Sequence, residues 1–156
     1  MSFDFDVISA KFNKKIDNFL DGLSYHPDTL GVAVSGGSDS LSLLYLIDAW
    51  SNKKNLKIVI LTVDHNLRTG SADEALYVGE LCNKLGLIHK TLFWDHEDIE
   101  GNLSASAREA RYRLMQNSIP SDAILITGHT LDDQAETFLM RLRRGSGVDG
   151  LASMAE

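Results

Sequence analysis

The run Val34-Ser35-Gly36-Gly37-Ser38-Asp39-Ser40 leaves a short apolar stretch, 31–34, and enters a helix-like one, 41–50. Of all features in the chain, it most restricts the fold. A strand that ends in paired glycines and restarts as a helix is a strand–loop–helix unit. Its glycines let the backbone come close to a ligand, and its helix start presents unpaired N–H groups and a positive dipole end. These features predict a phosphate-binding loop, with three serine hydroxyls as further donors. The spacing excludes two commoner loops, because there is neither the lysine of Gly-x-x-x-x-Gly-Lys-Ser/Thr nor the third glycine of Gly-x-Gly-x-x-Gly. The plainer alternative is a tight turn with Ser38 as N-cap and Asp39 opposing the helix dipole.

The remaining periodicities repeat that unit. Phe12, Ile16, Phe19 and Leu23 predict an opening helix that ends near His26-Pro27. Leu43, Leu46, Ile47 and Trp50 stripe the helix after the loop. The run 57–64 is apolar and β-branched almost throughout, as in a strand buried on both faces. Helices follow on Ala75, Val78, Leu81 and Leu85, on Leu103, Ala107, Ala110 and Leu114, and on Leu131, Ala135, Phe138 and Leu142, with strands at 89–94 and 123–127. Strands alternating with helices predict an α/β fold: a doubly wound, Rossmann-like parallel sheet of about five strands with helices on both faces. In such sheets ligands bind beyond the strand C-termini, here at 35–40, Asp64-His65, 94–96 and 128–130.

A chain of 156 residues with 44% hydrophobic content is expected to be one domain, a helical segment 1–27 leading into an α/β core 28–156. No run of about 18 apolar residues is present to span a bilayer, and the acidic start is unlike a signal peptide, so a cytoplasmic location away from membranes is expected. The single cysteine, Cys82, excludes an internal disulfide or a Cys-x-x-Cys site, and its helical spacing from Val78 and Leu85 predicts a buried, inert thiol. A net charge of −7 argues against a surface that is broadly adhesive to nucleic acid.

A second constellation lies at Gly128-His129-Thr130-Leu131-Asp132-Asp133-Gln134-Ala135-Glu136. Asp132 and Glu136 share a helix face, and Asp133 points around its side. Hard oxygens at a helix start on the ligand edge suit Mg²⁺ held jointly with phosphates, while Thr130-x-x-Asp133 also fits a capping box. His129 is placed to donate to a phosphate or to developing charge. Arg108 and Arg111, with Tyr112 and Arg113, form one basic cluster, and Arg141, Arg143 and Arg144 form another ahead of a Gly-Ser-Gly segment. Each is read either as a solvated face or as a contact for RNA phosphates or the nucleotide.

Together these motifs resemble a known family. Ser35-Gly-Gly-Ser-Asp-Ser40 is similar to the PP-loop of the N-type ATP pyrophosphatases, and Gly128-His-x-x-Asp-Asp-x-x-Glu136 to their tRNA-modifying branch. Val63-Asp-His-x-Leu-Arg68, Ala107-Arg-x-x-Arg-Tyr112 and Arg144-Gly-Ser-Gly-x-x-Gly-Leu151 resemble the tRNA(Ile)-lysidine synthetase family. The resemblance implies an adenine nucleotide alpha-hydrolase-like fold and a carbon–nitrogen ligase. Such an enzyme uses ATP and Mg²⁺ to join free L-lysine to C2 of the first anticodon cytidine of tRNA(Ile) with a CAU anticodon, through an adenylated cytidine.

Carried over by position, Ser35, Gly36, Gly37, Ser38 and Ser40 would hold pyrophosphate. Asp39, Asp132 and Asp133 would serve metal, lysine amine or reaction, and the backbone near Thr62, Asp64 and His65 the adenine. His129, Arg108, Arg111 and Arg144 would meet phosphates or tRNA. The family's further tRNA-gripping domains are not in this chain, so ATP binding with weak or absent tRNA modification is expected, and a homodimer stays open. The rivals are a tRNA thiolation enzyme, which would need sulfur delivery, and a nucleotide-binding module without chemistry.

Overall fold

A computed structural model describes residues 4–52, 54–64, 70–94 and 103–129, with side chains from Arg108 onward in the last segment. The order is α1 (Phe5–Asp21), β1 (Thr29–Ala33), α2 (Ser38–Ser51), β2 (Lys57–Asp64), α3 (Ser71–Leu85), β3 (Ile88–Phe93), α4 (Leu103–Gln116) and β4 (Ile124–Thr127). All pairings are parallel, in the order β3-β2-β1-β4. The doubly wound sheet is therefore present, with four strands among the described residues where about five were expected. The expected last helix, 131–142, lies outside the described residues.

Strand alternation sorts the core into two layers. Leu30, Val32, Ile58 and Ile60 point to one face, where Ile16 of α1, Leu44 and Ile47 of α2, and Val78 and Cys82 of α3 cover them. Val59 and Leu61 point to the other, under Met115 of α4. The apolar run of β2 is thus buried on both faces, as its composition predicts. Cys82 is fully buried, and burial pushes its thiol pKa up to about 11, in keeping with an inert residue.

The opening helix differs from its sequence reading. It stops at Asp21, where the Gly22 N–H donates to the Asn18 carbonyl and the Leu23 N–H to that of Leu20, so Leu23 falls beyond it. Phe19 is exposed, while Phe12, Ile16 and Leu20 face the core. A stripe at every fourth position wins because Asp17, between them, anchors α1 to α2. Its carboxylate accepts from Trp50 Nε1 at 2.8 Å and Lys54 Nζ at 2.7 Å.

Candidate active site

Strand order reverses between β1 and β4: β1 continues through α2 to β2 on one side, and the chain later returns through α4 to β4 on the other. At such a switch point the loops diverge to opposite faces and leave a crevice beyond the strand ends. A cavity of about 700 Å³ opens there. Its floor is the glycine loop, residues 35–40, and its sides come from Thr62 and Val63 of β2, Ser71 and Glu74 of α3, Arg111, Tyr112 and Met115 of α4, and Thr127 at the end of β4 with Gly128 and His129 beyond it.

The loop is organised from within. Ser40 is buried, and its hydroxyl donates to the Gly37 carbonyl at 2.9 Å while accepting the Ser35 N–H at 3.2 Å. The Ser35 hydroxyl lies 3.2 Å from the same oxygen. Ser40 therefore ties the loop's two ends through the same side chain that the sequence suggests as a ligand donor. Gly36 sits at φ +89°, open to glycine with little strain.

The N-cap of α2 is Gly37, which has no side chain to cap with, and Ser38 is the first helical residue instead of the cap. The first intrahelical bond runs from Leu41 N–H to Gly37 O at 2.9 Å. The amides of Ser38, Asp39 and Ser40 precede it, and in this position helix N–H groups have no helical acceptor. A glycine cap thus leaves the helix start open to an anion. Asp39 is exposed on the first turn, with Ser38 Oγ 3.5 Å from its carboxylate.

Neighbouring elements set the cavity's rim. A Cβ at Gly128 would stand 3.2 Å from Ser40 Cα and 3.3 Å from Ser40 N, a tight contact, so glycine lets β4's end lie close against the α2 start. His129 Nδ1 is 2.8 Å from Thr127 Oγ1, which turns the ring at the cavity edge. Asp64 is buried and accepts from Ser71 Oγ at 2.6 Å; it anchors the first turn of α3 and is not among the residues lining the cavity. Thr62, also buried, pairs with His89 Nε2 at 2.9 Å. Burial holds the His89 pKa below its ordinary 6.5.

The predicted residues Ser35, Gly36, Gly37, Ser38, Asp39, Ser40, His129 and Arg111 thus meet in one crevice. Arg108 lies one turn before Tyr112, its guanidinium 5.5 Å from the ring centroid. His65, Asp132, Asp133 and Arg144 lie outside the described residues. Sequence reasoning missed Ser71, Glu74 and Met115 and gave Tyr112 no role. The spacing Ser71-x-x-Glu74 at a helix start resembles a capping box and was a usable signal; Met115 carried none beyond its helical stripe.

A family model described as a PP-loop domain matches residues 8–156. The chain belongs to the PP-loop domain family. Relatives of this PP-loop domain include a protein of Orientia tsutsugamushi (strain Boryong) named tRNA(Ile)-lysidine synthase. It is 48% identical over 148 residues, which are 94% of this chain and 33% of that protein. One of the same name from Rickettsia bellii (strain OSU 85-389) is 43% identical over 149 residues, 94% of this chain and 34% of its own. The PP-loop domain therefore spans about a third of the length of these curated relatives. Among solved structures, the U34-tRNA thiolase NcsA from Methanococcus maripaludis, with its 4Fe-4S cluster, superposes with a TM-score of 0.76. The match has 19% identity and covers 94% of this chain and 54% of that one. At that identity the likeness establishes the fold alone.

Proposed function

We propose that this PP-loop domain binds ATP and adenylates the first anticodon cytidine of tRNA(Ile), to which free lysine is then joined to give lysidine. The observation that carries the reading is 48% identity, over 94% of the chain, to a relative named tRNA(Ile)-lysidine synthase. The open, glycine-capped start of α2 at the switch-point cavity supports the nucleotide part.

In this scheme the amides at 38–40 hold the β,γ-phosphates, where fixed dipoles need no reorganisation as charge develops. The C2 carbonyl oxygen of cytosine attacks the α-phosphorus; a new P–O bond forms, the bridge to the β-phosphate breaks, and pyrophosphate leaves. The lysine ε-amine then adds at C2, loses a proton and expels AMP. Asp39 is a hard oxygen donor beside the phosphate loop, and Mg²⁺ needs only one or two carboxylates beside phosphate oxygens, so this donor set fits the ion. Bound there, Mg²⁺ would neutralise the departing pyrophosphate. Asp132 and Asp133 are proposed to share that task or to hold the lysine amine. His129, Arg108, Arg111 and Arg144 are proposed to contact phosphates of nucleotide or tRNA, and Thr62, Asp64 and His65 to border the adenine.

The test is incubation of the chain, in its full gene-product context, with ATP, Mg²⁺, unmodified CAU-anticodon tRNA(Ile) and labelled lysine. Label in the tRNA and pyrophosphate in solution are expected; pyrophosphate without lysine transfer would sink the lysidine assignment. Sulfur transfer would instead need a reactive thiol, and Cys82 is buried with a raised pKa.

A further inference from the structure

Resting on that reading and deepening it, we infer that Thr127 is a positioning residue for the adenylation step. Its hydroxyl donates to Nδ1 of His129 and so holds the neutral ring in the form that carries its proton on Nε2, the nitrogen with which His129 meets the phosphates. Thr127 ends β4, and both residues line the cavity beside the phosphate loop. Thr127 Oγ1 and His129 Nδ1 lie 2.8 Å apart. The strand explains why they meet. Side chains alternate along it, and Ile126 packs with the layer of α1, α2 and α3 while Leu125 packs with that of α4. Thr127 is therefore on the α4 side of the sheet, the side that gives the cavity Arg111, Tyr112 and Met115. Gly128, between the two residues, lies close against the backbone of Ser40.

A backbone so placed sets where the imidazole stands, and the Thr127 hydroxyl sets which nitrogen faces a ligand. In a neutral imidazole one nitrogen donates and the other accepts, and the bond made by one decides the state of the other. A carbonyl or carboxylate at Nδ1 would take the ring proton there and leave a lone pair on Nε2, which repels phosphate oxygens. A hydroxyl brings a proton of its own and lets Nδ1 be the acceptor. Next to a helix start that suits an anion, this form of the ring is the favourable one. It adds a fixed N–H donor to the amides at 38–40, with no charge placed on the ring. Thr127 makes and breaks no bond in the reaction and acts through His129 alone.

The test reads the ring directly, by nitrogen NMR of the full chain with labelled histidines and bound ATP at about pH 8, where an ordinary imidazole is neutral. With the signal assigned through His129→Ala, His129 is expected to be protonated on Nε2 in the unaltered chain and in Thr127→Ser. Thr127→Val, which keeps the shape and lacks the hydroxyl, should show a mixture of both ring forms. In the full gene-product context with CAU-anticodon tRNA(Ile) and saturating ATP, Thr127→Val is expected to release pyrophosphate about tenfold more slowly, and Thr127→Ser to recover most of that loss. Thr127→Val added to His129→Ala should slow release no further than His129→Ala alone. A ring protonated on Nδ1 in the unaltered chain would overturn the inference, since the hydroxyl would then be the acceptor. So would a Thr127→Val loss that adds in full to that of His129→Ala, which would make Thr127 a brace for the turn. An unaltered protein that releases no pyrophosphate would count against the proposed reaction, and the ring form would then decide the role of Thr127 by itself.

Discussion

At the scale of single residues, the two loop glycines do different jobs, and substitution separates them. Gly36 holds φ +89°, and a Cβ there would meet Glu74 Cβ at an ordinary 3.6 Å. The penalty for Gly36→Ala is therefore backbone strain of about 1–2 kcal/mol, seen as a lowered melting temperature. Gly37 has φ −73° and ψ 161°, open to any residue, and its added Cβ would find nothing closer than Ser35 Oγ at 3.7 Å. Gly37→Ala should melt within a few degrees of the unaltered chain yet bind ATP at least about tenfold more weakly, because the new methyl stands where phosphate must approach the helix amides. Calorimetry and ATP titration on the pair check both halves. The Ser40 hydroxyl makes the loop's internal bonds, so Ser40→Ala takes the acceptor from the Ser35 N–H, while the Gly37 carbonyl keeps the Leu41 N–H, and should cost about 0.5–1.5 kcal/mol of stability, measured by denaturant titration.

Elements meet the site through contacts of the same kind. Gly128 brings β4's end against the α2 start, and the atoms a methyl would strike are backbone, which cannot turn aside. Gly128→Ala should therefore cost about 1–3 kcal/mol and weaken ATP binding as the loop shifts. On the other flank, His89 joins β3 to β2 through Thr62 and lies under α3, where a Cβ on Gly79 would come within 3.2 Å of its Nδ1. Because burial depresses its folded pKa, the unfolded chain takes up a proton first as pH falls. Its contribution is complete above the ordinary 6.5 and is lost on acidification below it. The unaltered chain should lose melting temperature from about pH 6.5 to 5 more steeply than His89→Gln, and parallel curves would refute the assignment. Element identities were legible where the apolar period was long and uninterrupted, as in β2, whose bounds match the sequence reading. The end of α1 was not, because periodicity cannot weigh Phe19 against Leu20 when the deciding contact is Asp17 to Trp50 and Lys54, more than 30 residues away.

Across the whole molecule, the glycine loop and the strand ends that border it were readable, while several of the walls that topology brings to them were not. The loop at 35–40 announces itself through adjacent glycines and serines. Tyr112, Met115, Ser71 and Glu74 join it only because α3 and α4 reach the same strand edge from opposite faces of the sheet. A ligand that touches all of these walls ties both layers together, so nucleotide should stabilise the folded chain as a unit. Saturation at about 100 times the dissociation constant adds about 2.7 kcal/mol, or roughly 5–11 °C in a domain of this size. Thermal melts with ATP and Mg²⁺ should show this rise. Chelation of Mg²⁺ should reduce it, and Asp39→Ala should remove the Mg²⁺-dependent part while leaving the ligand-free melting temperature unchanged, since the described contacts of Asp39 are limited to its neighbour Ser38. A rise that is equal with and without Mg²⁺ would mean that the loop amides alone hold the phosphates and that Asp39 serves another step.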